Sequence, residues 1–180
     1  FKRELVKDIT NVFPINFSIP EKKIVTNINL NPENLLAPLI PHRYKTYIYK
    51  NQNDYYKMWQ NSIIGISYVW GGWWDALRYY EMLMNGCVPL IQNLENCPKN
   101  SLYFLPKKDL LEAKKNYSWI LSQYNPFRIY KKKFLNFKKL SLFLSSAFKK
   151  KYNAEEFIQN FPEINILRNN LLEYTKKFLT

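Results

Sequence analysis

The sequence predicts an α/β fold: a parallel sheet flanked by helices, with a helical C-terminal tail. Three observations carry this. Residues 62–92, SIIGISYVWGGWWDALRYYEMLMNGCVPLIQ, open on a β-branched and aromatic run (Ile63, Ile64, Ile66, Tyr68, Val69) suited to a buried strand. A glycine pair, Gly71-Gly72, then breaks the pattern, and residues 73–85 are mostly good helix formers with no Pro or Gly inside. Gly86 stands where a left-handed cap would close that helix, and Cys87-Val88-Pro89-Leu90-Ile91 begins a second apolar run at once. Strand, turn, helix and strand in this order make a βαβ unit, normally a right-handed crossover between parallel strands.

Taken in order, residues 2–12 read as the end of a helix, and Phe13-Pro14-Ile15-Asn16-Phe17-Ser18-Ile19-Pro20 as an extended, proline-punctuated segment. Residues 27–46, with Pro32, Pro38 and Pro41, read as irregular loop and turns. The only histidine, His42, lies there beside Arg43, with no partner in the sequence that would make it a general base. Thr46-Tyr47-Ile48-Tyr49 reads as a strand, and 51–61 as a short helix with Asn51 or Asn53 near its N-cap. After Ile91 come a loop over 92–101, a short strand-like Leu102–Leu105 and a helix from about 107 to 123 with Asp109 in its first turn. Pro126 interrupts the chain, and 128–151 interleaves Lys and Arg with Phe, Tyr and Leu. That pattern fits an ordinary amphipathic helix with snorkelling lysines, a membrane-surface helix or a nucleic-acid patch. A last helix spans 163–179 beyond Pro162. The division that follows is a first unit over 1–125 and a basic helical extension over 126–180.

The central helix has two faces. At about 100° per residue, Ala76, Leu77, Tyr80, Leu83 and Met84 form an apolar stripe that reads as core. Trp74, Arg78, Glu81 and Asn85 fall on the opposite side, where a solvated face with an Arg78–Glu81 pair at i,i+3 is the simplest account.

A functional account competes with it. Arg78-x-x-Glu81-x-x-x-x-Gly86-Cys87-x-Pro89 resembles the "R…E-(x)4-G-C-I-P" signature of exostosin-like glycosyltransferases. The wider block GGWWDALRYYEMLMNGCVPLIQNLENCPKNSLYFLPKKDLLEA is similar to the G-W-D-C-x-R-H-Y-E-I-L segment of an exostosin-like group common in large DNA viruses and algae. The likeness covers roughly residues 13–115 and is strongest over 71–107; it departs at Trp73, at Ala76 in place of Cys and at Tyr79 in place of His. The resemblance implies a Rossmann-like half of a GT-B fold that binds a nucleotide-sugar donor. It implies that Gly71 and Gly72 let the backbone approach the diphosphate, and that Arg78 stabilises charge on the departing nucleotide diphosphate. Glu81 would accept hydrogen bonds from ribose hydroxyls, and Asp75 or Trp74 would contact sugar or base. For Asp75 a first-turn dipole partner, and for Trp74 a core or rim aromatic, are the structural alternatives. The acceptor would be a glycan or glycoprotein, handled by an N-terminal acceptor domain outside this sequence, whose ends both look cut from something longer.

Composition bounds these expectations. Of the 180 residues 47% are hydrophobic and 17% aromatic, enough for a sizeable core. The formal charge of +13 suits an anionic partner such as a nucleotide diphosphate or an acidic membrane met through 128–151, although an AT-rich coding sequence would also favour Lys, Asn, Ile and Tyr. No nucleic-acid-binding signature is present, and nucleic acid is not expected as a partner. Cys87 and Cys97 are too few for a disulfide framework or a zinc site, though a bridge between them stays open; Cys87 reads as a small buried residue. Asp8, Asp54, Asp75 and Asp109 are widely separated, so there is no D-x-D for a metal–diphosphate complex. Phosphate-loop, dinucleotide and serine-nucleophile motifs are missing too. A metal-independent diphosphate site at a helix N-terminus, with no cofactor, fits what remains. A fucosyltransferase-like GT-B domain is the near alternative, without its T-E-K triplet; a non-catalytic basic module binding acidic membrane or nucleic acid is the distant one. With no signal or membrane-spanning run, a Golgi-type membrane and a viral-factory cytoplasm are equally open.

Overall fold

A computed structural model of the chain describes residues 17–39, 44–69, 74–123 and 154–180. Three parallel strands form its sheet in the order β1 (Asn34–Leu36), β2 (Ser62–Tyr68), β3 (Val88–Gln92). Around it lie α1 (Gln52–Gln60), α2 (Leu77–Met84), α3 (Lys107–Gln123), α4 (Ala154–Asn160) and α5 (Glu163–Phe178). The α/β architecture with a parallel sheet, flanking helices and a C-terminal helix is therefore present.

The central unit folds as its sequence pattern requires. β2 is buried everywhere but at Tyr68, because it has a strand on each edge and helices against its faces. Its register with β3 pairs Ile64 with Val88 and Ile66 with Leu90. Gly86 adopts φ 69°, the left-handed cap that ends α2, and a Cβ there would also meet Ile28 Cγ2 at 2.9 Å. Gly65 has a different task. A Cβ on it would lie 2.7 Å from Met82 Sδ and 2.8 Å from Trp59 Cζ3, so its bare backbone lets α1 and α2 sit close on the sheet.

Four local expectations need correction. The proline-broken stretch 27–46 contains β1, a strand too short to show periodicity; Asn34 pairs with Ser62 and Leu36 with Ile64. Thr46–Tyr49 is not a strand. Tyr44–Thr46 make a 3-10 turn and the following residues join no strand; Tyr47 and Tyr49 instead give their rings to Arg78 and Tyr55. Leu102–Leu105 is a turn, not a strand, closed by the Leu105 N–H to Leu102 O bond of 3.1 Å; its two leucines are nevertheless buried. The central helix starts at Leu77 instead of Trp73, after an extended Ala76 (φ −134°, ψ 127°) that offers no side-chain cap.

That late start changes which residues reach the core. Leu77 is 46% exposed, whereas Tyr79, Tyr80, Met82, Leu83 and Met84 are buried, since α2 is covered by α5 as well as by the sheet. Asn85, expected on the open face, is buried too and links two helices. Gln60 Nε2 donates to its Oδ1 at 2.8 Å, and its own Nδ2 donates to Glu81 O at 2.8 Å. The expected N-cap of α1 is present: Asn51 Oδ1 accepts from the Asp54 N–H at 2.9 Å.

Helices α4 and α5 enter the same core as the sheet through Ala154, Phe157, Ile164 and Leu171. Buried Arg168 of α5 donates from Nε to Gly86 O at 2.8 Å and from Nη1 to Asn165 Oδ1 at 2.8 Å. It sets a cation at the C-terminal end of α2, where the helix dipole favours one. The chain's two described ends also meet, Ile19 N–H donating to Leu179 O at 2.8 Å. Readings made on residues 2–12, on His42 and Arg43, and on Pro126 and 128–151 fall outside the described residues. Among the described residues no helix is long and apolar enough to cross a membrane.

Candidate functional site

Because α2 follows β2 in a parallel crossover, its N-terminus stands at the carboxyl ends of the strands, the end where ligands of such sheets bind. Of the residues expected there, Gly71 and Gly72 lie outside the described residues. Trp74 is partly buried and packs against the main core, the rim position that was its structural alternative. Asp75 accepts a hydrogen bond from Tyr80 Oη at 3.2 Å. It precedes the N-cap residue Ala76, so it is not the first-turn dipole partner its spacing suggested.

Arg78 and Glu81 lie one turn apart on α2, both half-buried, and they form no ion pair with each other. Glu81 Oε2 instead accepts from Tyr55 Oη at 2.8 Å, a bond that crosses from α1 to α2. The Arg78 guanidinium lies over the Tyr47 ring, 5.5 Å from its centroid, and its Nε is buried with no hydrogen-bond partner. The simple surface salt bridge is thus not made. A buried N–H without an acceptor is costly, roughly 1–3 kcal/mol, and rare enough in folded proteins to call for an explanation.

Around this pair stands an aromatic wall that the strand reading of 46–49 obscured. Tyr49 meets Tyr55 edge-on (centroids 6.3 Å apart), and Tyr55 contacts Tyr56 at 5.8 Å and Trp59 at 5.7 Å. Tyr47 remains 44% exposed, so one side of its ring carries Arg78 while part of it is open to solvent. Burial, and then the charge of Glu81, push the Tyr55 hydroxyl well above its ordinary pKa, so at neutral pH it keeps the proton it donates to Glu81. The signal that could have found these residues is the spacing Tyr47-x-Tyr49 and Tyr55-Tyr56 on either side of the Asn51 cap.

A second polar group lies deeper. Tyr79 is fully buried, and its hydroxyl faces Ser67 at the end of β2 without a hydrogen bond of good geometry. Burial raises its pKa, opposed by Ser67 and by the Arg78 charge. Cys97 is a free thiol directed at the Pro98 and Ser101 carbonyls, at 3.6 and 3.5 Å, and its pKa is raised by burial, so it is held as a thiol. Cys87, also free, is buried as expected. Lys107 closes the same loop by donating to Lys99 O and Ser101 O at 3.0 and 2.9 Å.

No protein-family model, curated protein or solved structure matches this chain. Its chemistry has to be read from the side chains. Arg78 offers a positive charge with unused N–H groups, fitted to an anion. Glu81 offers one oxygen beyond the one Tyr55 holds, fitted to a hydroxyl pair. Among the described residues no three His, Cys, Asp or Glu side chains come together in a way that could hold a metal ion.

Proposed function

We propose that this chain is the donor-binding half of a GT-B glycosyltransferase of the exostosin-like kind, taking a nucleotide sugar and passing the sugar to a glycan or glycoprotein acceptor. The observation that carries the reading is the unmade salt bridge: Arg78 and Glu81 are adjacent on one helix face, yet each keeps capacity for a ligand. A helix N-terminus at the carboxyl end of a parallel sheet supports a diphosphate near Arg78. The Arg78-x-x-Glu81-x-x-x-x-Gly86-Cys87-x-Pro89 likeness to exostosin-like enzymes supports the same roles. In this reading Arg78 neutralises the charge that builds on the leaving diphosphate, the point at which a fixed cation lowers a barrier most. Glu81 takes the ribose hydroxyls, and Gly71 and Gly72 allow the diphosphate close to the backbone. Asp75 or Trp74 contacts the sugar or the base. No metal takes part in binding.

The test is calorimetric titration of ADP, GDP, UDP and CDP into the protein in excess chelator. Binding of one of them, weakened by Arg78→Ala, is the expected result. Binding of none, or binding that needs a divalent ion, would overturn the reading.

A further inference from the structure

Resting on the nucleotide reading above, we infer that Tyr55 is a positioning residue: from α1 it fixes one oxygen of Glu81 so that the other faces the ribose. The hydroxyl of Tyr55 donates to Glu81 Oε2 at 2.8 Å across the α1–α2 contact. Among the described residues the Glu81 side chain makes no other hydrogen bond or ion pair. A flexible carboxylate would otherwise lose rotamer freedom on meeting a ligand, a loss that prior fixation avoids.

Tyr55 is itself held on several sides. Tyr49, Tyr56 and Trp59 pack round its ring with centroids 5.7 to 6.3 Å away. The Trp59 indole N–H approaches its hydroxyl from the core side, short of full hydrogen-bond geometry. Trp59 is fully buried against Gly65 of β2, so the chain of contact runs from the sheet through an indole and a phenol to the carboxylate. Asn85 grips the main chain of the same residue, donating to Glu81 O at 2.8 Å while accepting from Gln60 of α1. Glu81 is thus tied to α1 by its side chain and, through Asn85, by its backbone. A carboxylate serving only as a solvated surface charge would need neither tie. Two fixed ends aim the remaining Oε1.

The consequence is a preference for ribose hydroxyls that depends on α1 as much as on Glu81. The experiment compares the best-bound ribonucleoside diphosphate from the chelator titration with its 2′,3′-dideoxy counterpart. Wild type, Tyr55→Phe, Glu81→Ala and the double variant are measured, with thermal unfolding of each as a control on folding. Tyr55→Phe keeps the ring and removes only the donor. The expected result is a loss of roughly three- to tenfold in ribonucleotide affinity, the size of one ordinary net hydrogen bond, and little change for the dideoxy compound. In the Glu81→Ala background Tyr55→Phe should then add nothing. Equal weakening of both nucleotides, or losses that add across the two sites, would make Tyr55 a packing residue and overturn the inference while leaving the nucleotide site intact. If wild type binds no nucleoside diphosphate, the site reading falls and the inference falls with it.

Discussion

Replacing Gly65 by Ala tests the packing on which the site stands. The added methyl would begin 2.7 Å from Met82 Sδ, 3.0 Å from Met82 Cε and 2.8 Å from Trp59 Cζ3. The methionine can swing aside, but Trp59 is a rigid, fully buried ring and has nowhere to go without moving α1. Overpacking of this kind costs about 1–3 kcal/mol. Gly65 has ordinary negative-φ backbone, so alanine also recovers about 0.5–1 kcal/mol by restricting the unfolded chain. The net loss should be about 1–2 kcal/mol, or a Tm lower by roughly 2–8 °C in a domain of this size. Urea unfolding followed by tryptophan fluorescence measures it. Trimming Met82 to Ala in the same chain should be non-additive, because the new methyl would occupy part of the vacated space, with a coupling of about 0.5–3 kcal/mol. A Gly65→Ala protein as stable as wild type, with additive behaviour at Met82, would refute the close approach of α1 and α2 to β2.

Other expectations follow from individual contacts. Glu81→Gln should weaken nucleoside diphosphate binding by about 1–3 kcal/mol while leaving the urea midpoint nearly unchanged, since Gln can still accept from Tyr55; unchanged affinity in calorimetry would remove Glu81 from the site. Arg78→Lys should bind the nucleotide more weakly than wild type, because an ammonium lacks the planar fork that the guanidinium holds over the Tyr47 ring; equal affinity at several salt concentrations would reduce Arg78 to a point charge. Asn85→Ala removes a buried amide bridging α1 and α2 and should destabilise by about 1–3 kcal/mol, read by chemical unfolding. Burial pushes the Cys87 thiol from 9.0 up to about 12 and the Tyr117 hydroxyl from 10.0 up to about 12. Both groups fold in their neutral forms, so their contribution is whole below pH 9 and is lost as the pH climbs towards 12. Cys87→Ala should flatten the decline of stability above pH 9, and an unchanged slope in pH-dependent urea titrations would count against it.

The sequence by itself determined the central crossover: an unbroken apolar run for β2, helix formers, a capping glycine and a second apolar run each demand their own local structure. The α3 helix and the Asn51 cap were legible for the same reason, because their signals are confined to a few neighbouring residues. Tertiary structure alone decided which edges of β2 were filled. The three-residue β1 was chosen over the more strand-like Tyr47-Ile48-Tyr49, since pairing depends on what else reaches that edge and not on propensity. It also decided the fate of Arg78 and Glu81. Spacing on one helix made them a natural ion pair, but Tyr55 and Tyr47, more than twenty residues upstream, took one partner each. A helical wheel contains no information about the neighbouring helix, so the spare bonding capacity that defines the candidate site became visible only when α1 was set beside α2.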